Sequence, residues 1–171
     1  DAAILFLGRD GDYRLAGDPF PTGGDTRPEV RLLLPGSIGG RAVVSTSIAQ
    51  WSPAGRHVAV AVQLAAGPGW RDVPTQVIAV VSPDSGELHV VWEDEDAVPF
   101  VLGWSPDGRR LALLATQSQP DLLLEVLVFG EEPDPFAVAA SRVELVKTAP
   151  VYFDWGADSA TLVAGSGGIV R

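Results

Sequence analysis

Short apolar segments separated by tight polar turns recur along this chain, and their length and composition are those of β-strands rather than helices. His57 to Val62 is one such run and is rich in β-branched residues, with Arg110 to Ala115 and Thr161 to Ala164 as its counterparts further on. Thr75 to Ser82 and Leu122 to Phe129 are continuous strand-like runs, while Glu87 to Trp92 alternates as a half-exposed outer strand does. The segments Ser52-Pro53-Ala54-Gly55, Pro83-Asp84-Ser85-Gly86 and Ser105-Pro106-Asp107-Gly108 join them. Proline presets φ at the second turn position, Asp or Ser bonds backbone N–H groups locally, and glycine accepts the left-handed conformation that re-enters the next strand.

The pattern repeats at a fixed period. Trp51-Ser52-Pro53-Ala54-Gly55-Arg56 returns 53 residues later as Trp104-Ser105-Pro106-Asp107-Gly108-Arg109, and a degenerate copy begins 51 residues after that at Trp155. The residues before each tryptophan, 45–51, 98–104 and 149–155, match in length and apolar weight, so each indole ends the first arm of a hairpin. Two further strands follow each hairpin, which gives four per repeat; in the second full repeat the Pro- and acid-rich stretch 130–141 intrudes before an outer strand at Arg142 to Lys147. Gly156-Ala157-Asp158-Ser159 has lost the proline and the final glycine, and a looser or terminal hairpin is expected there.

Trp-Ser-Pro-Asp-Gly-Arg-Arg-Leu-Ala at 104–112, recurring at blade spacing, resembles the repeat signature of TolB-like, WD-repeat-like β-propellers over roughly residues 45–171. The resemblance implies an all-β fold of four-stranded antiparallel blades around a channel, a protein-binding scaffold outside the bacterial cytoplasm, and no chemistry in the repeat itself. It divides the chain into residues 1–44, the outer strands of a preceding blade plus an insertion; blades at 45–97 and 98–148; and the first strands of a further blade at 149–171. Within 1–44 the outer strand is placed at Val30 to Leu34, with Tyr13 to Ala16 as the other choice. About three blades fall short of the roughly four to eight of a ring. A fragment of a larger propeller is therefore expected, with an open arc or self-association through open propeller edges as the alternatives.

Composition limits partners more than it names them. Apolar content of 46% with 19 glycines and 14 prolines suits a soluble core of short strands and many turns. The absence of cysteine excludes disulfides and thiolate metal sites and fits the periplasmic or extracellular location that the resemblance implies. A net charge of −10 argues against nucleic acid and anionic lipid, and no apolar run is long enough for membrane insertion.

Candidate chemistry is sparse. His57 and His89 share no ligand spacing with each other or with carboxylates, Gly165-Ser166-Gly167-Gly168 lacks the nucleophile-elbow spacing, and Asp10-Gly11-Asp12 lacks the remaining ligands of a calcium loop. No catalytic residue, metal site or cofactor is expected. The features that stand out are Trp70, Arg71 and Asp72 on a Gly- and Pro-rich loop, and the four carboxylates Glu93, Asp94, Glu95 and Asp96. Up-and-down blade topology would put both on one rim, an aromatic anchor beside acidic groups suited to a protein or peptide of basic character. The expected function is a non-catalytic propeller scaffold for protein–protein interaction. The alternatives are the gating propeller of a larger serine peptidase of the prolyl-oligopeptidase type, and small-ligand or sugar binding at the propeller face.

Overall fold

The computed structural model describes residues 4–7, 13–16, 30–67, 73–117, 122–129, 141–146 and 152–165. Every element among them is a strand and every pairing is antiparallel, so the all-β class expected from the sequence holds. Strands β1 (Ile4–Leu7), β2 (Tyr13–Ala16) and β3 (Val30–Leu32) form one sheet in chain order. Strands β4 (Ser37–Ile38), β5 (Arg41–Trp51), β6 (Val58–Leu64), β7 (Thr75–Val81) and β8 (Leu88–Asp94) form the second. Strands β9 (Val98–Trp104), β10 (Arg110–Thr116), β11 (Leu122–Val128) and β12 (Ser141–Val146) form the third, and β13 (Tyr152–Trp155) pairs with β14 (Leu162–Gly165).

Turn chemistry sets these boundaries. Gly39 and Gly40 take φ of 57° and 79°, which lets Ser37–Ile38 fold back onto Arg41–Ala42 and starts β5 four residues ahead of the Ser45 start expected from the repeat alignment. In the first two tryptophan hairpins Gly55 and Gly108 take φ of 68° and 71° and donate back to Ser52 and Ser105 carbonyls at 2.9 and 2.8 Å. The third hairpin, expected to be looser or terminal for its lost proline and glycine, is the last among the described residues but is not looser. Ser159 itself takes φ of 56° and closes on the Gly156 carbonyl at 3.0 Å, while the Asp158 carboxylate accepts from the backbone N–H groups of Ala160 and Thr161. An Asx-type turn thus replaces Pro-x-Gly chemistry.

The second sheet is covered on both faces. Val58, Val60 and Val62 of β6, with Val77, Ala79 and Val81 of β7, pack toward Leu33 and Ile38 and the half-buried Leu5 and Tyr13. Ala59, Ile78 and Val80 from the same two strands face the other way, against Leu102, Trp104, Leu111, Leu113 and Leu127 of the third sheet. Period-2 alternation therefore sends neighbouring residues into two different cores, and none of β6's aliphatic side chains is more than 1% exposed. Each valine so buried contributes about 1.5–3 kcal/mol.

Candidate functional site

The three tryptophan strands occupy equivalent places in their sheets. Trp51 pairs with Val58, Trp104 with Leu111 and Trp155 with Leu162, so the residue before each indole, Gln50, Gly103 or Asp154, holds one register position. β5 lies against β9 and β9 against β13. The indole N–H of Trp104 donates to the Gln50 carbonyl at 3.3 Å, and that of Trp155 donates to the Gly103 carbonyl at 2.8 Å. One clasp, made twice, ties each first strand to the previous one.

The hairpin turns repeat the linkage one step further on. Ser159 Oγ accepts from Asp107 N–H at 2.9 Å, and the Ser159 carbonyl accepts from Arg110 Nη1 at 2.6 Å. Within the second turn, Ser105 Oγ donates to Asp107 Oδ1 at 2.6 Å and accepts from Arg110 N–H at 2.9 Å. Partial desolvation pushes the Asp107 carboxyl upward, but the Ser105 hydroxyl, the Arg109 N–H and the charges of Arg110 and Arg109 outweigh it and hold the group below its ordinary value. Asp158 is held low as well, by the Thr161 hydroxyl first and then by the Thr161 and Ala160 N–H groups.

The first strands leave a mixed surface open. Ser47, Gln50, Phe100, Tyr152 and Asp154 are exposed, Phe100 at 38% and Tyr152 at 54%. Close packing holds this row: a Cβ at Gly103 would overlap the Phe153 ring, and one at Gly165 would overlap the Tyr152 ring. The Asp154 carboxylate is oriented by accepting from Trp155 N–H at 2.9 Å. Amide, hydroxyl, phenol and carboxylate groups and a phenyl ring are thus exposed on these three strands, groups able to hydrogen-bond and stack a small polar molecule.

Trp70, Arg71 and Asp72 lie outside the described residues, as do Asp10 to Asp12 and residues 166–168. Of the acidic run, Glu93 belongs to β8 and pairs with Arg41 at 2.9 Å, and Asp94 Oδ1 accepts from Asp96 and Ala97 N–H at 2.8 and 3.0 Å. Two of the four carboxylates expected to meet a partner are therefore engaged within the chain. Glu95 is half-buried and Asp96 exposed. His57 sits at the base of the first hairpin, its N–H donating to Ser52 Oγ at 3.1 Å, and His89 pairs with Glu87 at the same distance. Among the described residues no three His, Asp or Glu side chains converge on a metal-sized space.

Sequence reasoning missed Glu125. It is fully buried in β11 and accepts from Trp92 Nε1 at 2.6 Å, joining the second sheet to the third. A lone carboxylate inside Leu122 to Phe129 was the available signal, since buried charges are retained only with partners.

No family model and no curated protein matches this chain. Among solved structures it is similar to a Bacteroides uniformis protein provisionally assigned as a 6-phosphogluconolactonase, at 13% identity and a TM-score of 0.49. The match covers 95% of this chain and 46% of that one, so this chain spans about half the length of the structure it matches. The expectation of a non-catalytic protein-binding scaffold is corrected against this match, whose own description is that of an enzyme; the likeness says nothing further of this chain. Among the described residues no helix is long and apolar enough to cross a membrane.

Proposed function

We propose that this chain builds consecutive blades of a β-propeller of the TolB-like, WD-repeat-like kind, and that it binds a small polyhydroxylated ligand along its row of first strands. The observation that carries this reading is the repeated clasp, Trp104 to the Gln50 carbonyl and Trp155 to the Gly103 carbonyl. Two like linkages at one register position support a reading of successive blades related by a common rotation, which would set Gln50 and Asp154 along the inner strands. There an amide and a carboxylate offer hydrogen bonds to hydroxyl groups, and the exposed rings of Phe100 and Tyr152 offer apolar faces to a sugar-like carbon skeleton.

The test is a thermal-shift screen of the 171-residue chain against neutral sugars and sugar acids, followed by calorimetry on any hit. A ligand at about 100 times its Kd adds about 2.7 kcal/mol of stability, which raises the midpoint by several degrees. Binding should fall at least tenfold in Asp154→Ala and in Gln50→Ala with both variants folded. A screen without hits, or a hit indifferent to both substitutions, overturns the ligand reading.

A further inference from the structure

A cleft of about 130 Å³ lies between β2, β3 and β5, and it shares no residue with the row of Gln50, Phe100, Tyr152 and Asp154. Leu32, Leu34, Pro35 and Val43 give it an apolar wall, and Tyr13 and Thr46 add a ring and two hydroxyl-bearing side chains. The backbone builds its shape. β5 changes register twice against β6 between Val43 and Ala49, and such bulges turn side chains out of the regular pleat, often beside a site. The Gly39–Gly40 hairpin brings Gly36 against β5, where its carbonyl accepts from Val43 N–H at 3.0 Å. Gly36 also lines the cleft, and its φ lies outside the left-handed region, so the chain conformation does not demand glycine there. A Cβ at that position would meet nothing within 4 Å; what the missing side chain leaves is room.

We propose that this cleft binds one uncharged aromatic ring carrying a single hydroxyl, a ligand of the phenol class, whose proton is accepted by Tyr13 Oη. Size argues for one ring: an apolar cavity of about 150 Å³ holds benzene, and this cleft is of similar volume and open at Leu32, which is 54% exposed. Lining chemistry argues for a neutral one. Among the described residues the wall carries no charge, and burial pushes the Tyr13 phenol above its ordinary value, against a smaller lowering from the backbone at Ala49, so it stays protonated at neutral pH. An anion would lose its hydration here without a counter-charge, and a polyol would leave hydroxyls unmatched against four apolar residues. The Tyr13 hydroxyl has already given its proton to the Ser47 carbonyl at 3.3 Å, so what it still offers is a lone pair. The ligand therefore brings the donor. This reading depends neither on the blade arrangement nor on the ligand proposed for the first strands.

Phenol and its near-isostere toluene, titrated into the isotopically labelled 171-residue chain and followed by NMR, test this. Phenol should bind with a Kd of about 1 mM or below, with shifts concentrated at Tyr13, Gly36, Val43 and Thr46. Tyr13→Phe should weaken phenol roughly fivefold and leave toluene unchanged, a split that mere loosening of the first sheet against β5 would not give. Gly36→Leu fills the cleft without backbone strain and Val43→Phe fills it from β5; each should weaken both compounds about tenfold or more. Gln50→Ala and Asp154→Ala should leave both compounds unaffected. No saturation at millimolar phenol, shifts centred on the first strands with loss in Gln50→Ala or Asp154→Ala, or binding that survives both filling variants overturns the proposal. Equal weakening of phenol and toluene by Tyr13→Phe overturns it as well, because the hydroxyl would then play no part in recognition.

Discussion

The indole N–H of Trp92 on β8 donates to the carboxylate of Glu125 on β11 across 2.6 Å, within a core otherwise made of aliphatic and aromatic carbon. It joins the outermost strand of one sheet to the third strand of the next, and so fixes how far one sheet slides past the other. Glu125→Gln keeps an acceptor and should cost less than about 1.5 kcal/mol. Glu125→Ala removes the acceptor and opens a cavity, and should cost about 2–4 kcal/mol in urea denaturation followed by tryptophan fluorescence.

The paired clasps make a separate claim. Trp104→Phe and Trp155→Phe each retain an aromatic ring but lose the bond to the preceding first strand, and each should destabilise by about 1–2 kcal/mol. Trp104 is 6% exposed, so Trp104→Ala should cost about 3–5 kcal/mol. Equal effects of the Phe and Ala variants would show that the N–H, and not the ring, dominates.

Gly103 supplies a steric prediction. Its missing Cβ is the space filled by the Phe153 ring, so Gly103→Ala should cost about 1–3 kcal/mol by overpacking. Combined with Phe153→Leu, the penalty should shrink, and a double-mutant cycle would read the coupling.

Ser159 stands where the other two tryptophan hairpins carry glycine. Ser159→Gly relieves the backbone but removes the hydroxyl that accepts from Asp107 N–H, whereas Ser159→Ala removes the hydroxyl and keeps the strain. The alanine variant should therefore be the less stable, by about 1 kcal/mol in thermal or chemical denaturation.

Acid should loosen the same turns. Asp107 and Asp158 have carboxyls held below their ordinary values, so the stability they contribute is complete above the unfolded value near ~3.9 and is lost as pH falls through the lower folded values. The midpoint gap between the native chain and Asp107→Asn should be present at neutral pH and narrow on acidification below about pH 4. A gap independent of pH would mean that the carboxylate charge plays no part.

Features closed by neighbours in the chain were legible in the sequence. The tryptophan hairpins, their strands and the glycine positions follow from turn chemistry spanning a few residues, and the structure reproduces them at 51–58 and 104–111. Contacts between distant residues were not. Arg41 with Glu93, Trp92 with Glu125 and Ser159 with Asp107 depend on how sheets stack, which no local pattern encodes. The acidic run read as a solvated partner surface because a string of four carboxylates says nothing of the arginine folded beside it. Ser159 was read as erosion of the turn because its compensating bonds come from another hairpin.

Strand β6 has no side that can be left bare, since Val58 and Ala59 enter different cores. During synthesis the residues up to Asp94 emerge before the third sheet exists, and Ala59, Ile78 and Val80 then form a sticky wall with nothing to lean on. Expression of residues 1–97 alone should yield inclusion bodies or chaperone-bound material, and the shortest soluble product should extend beyond Phe129. Evolutionary drift on β6 and β7 should likewise be confined to swaps of similar volume, leaving turns and insertions to carry whatever distinguishes one descendant from another.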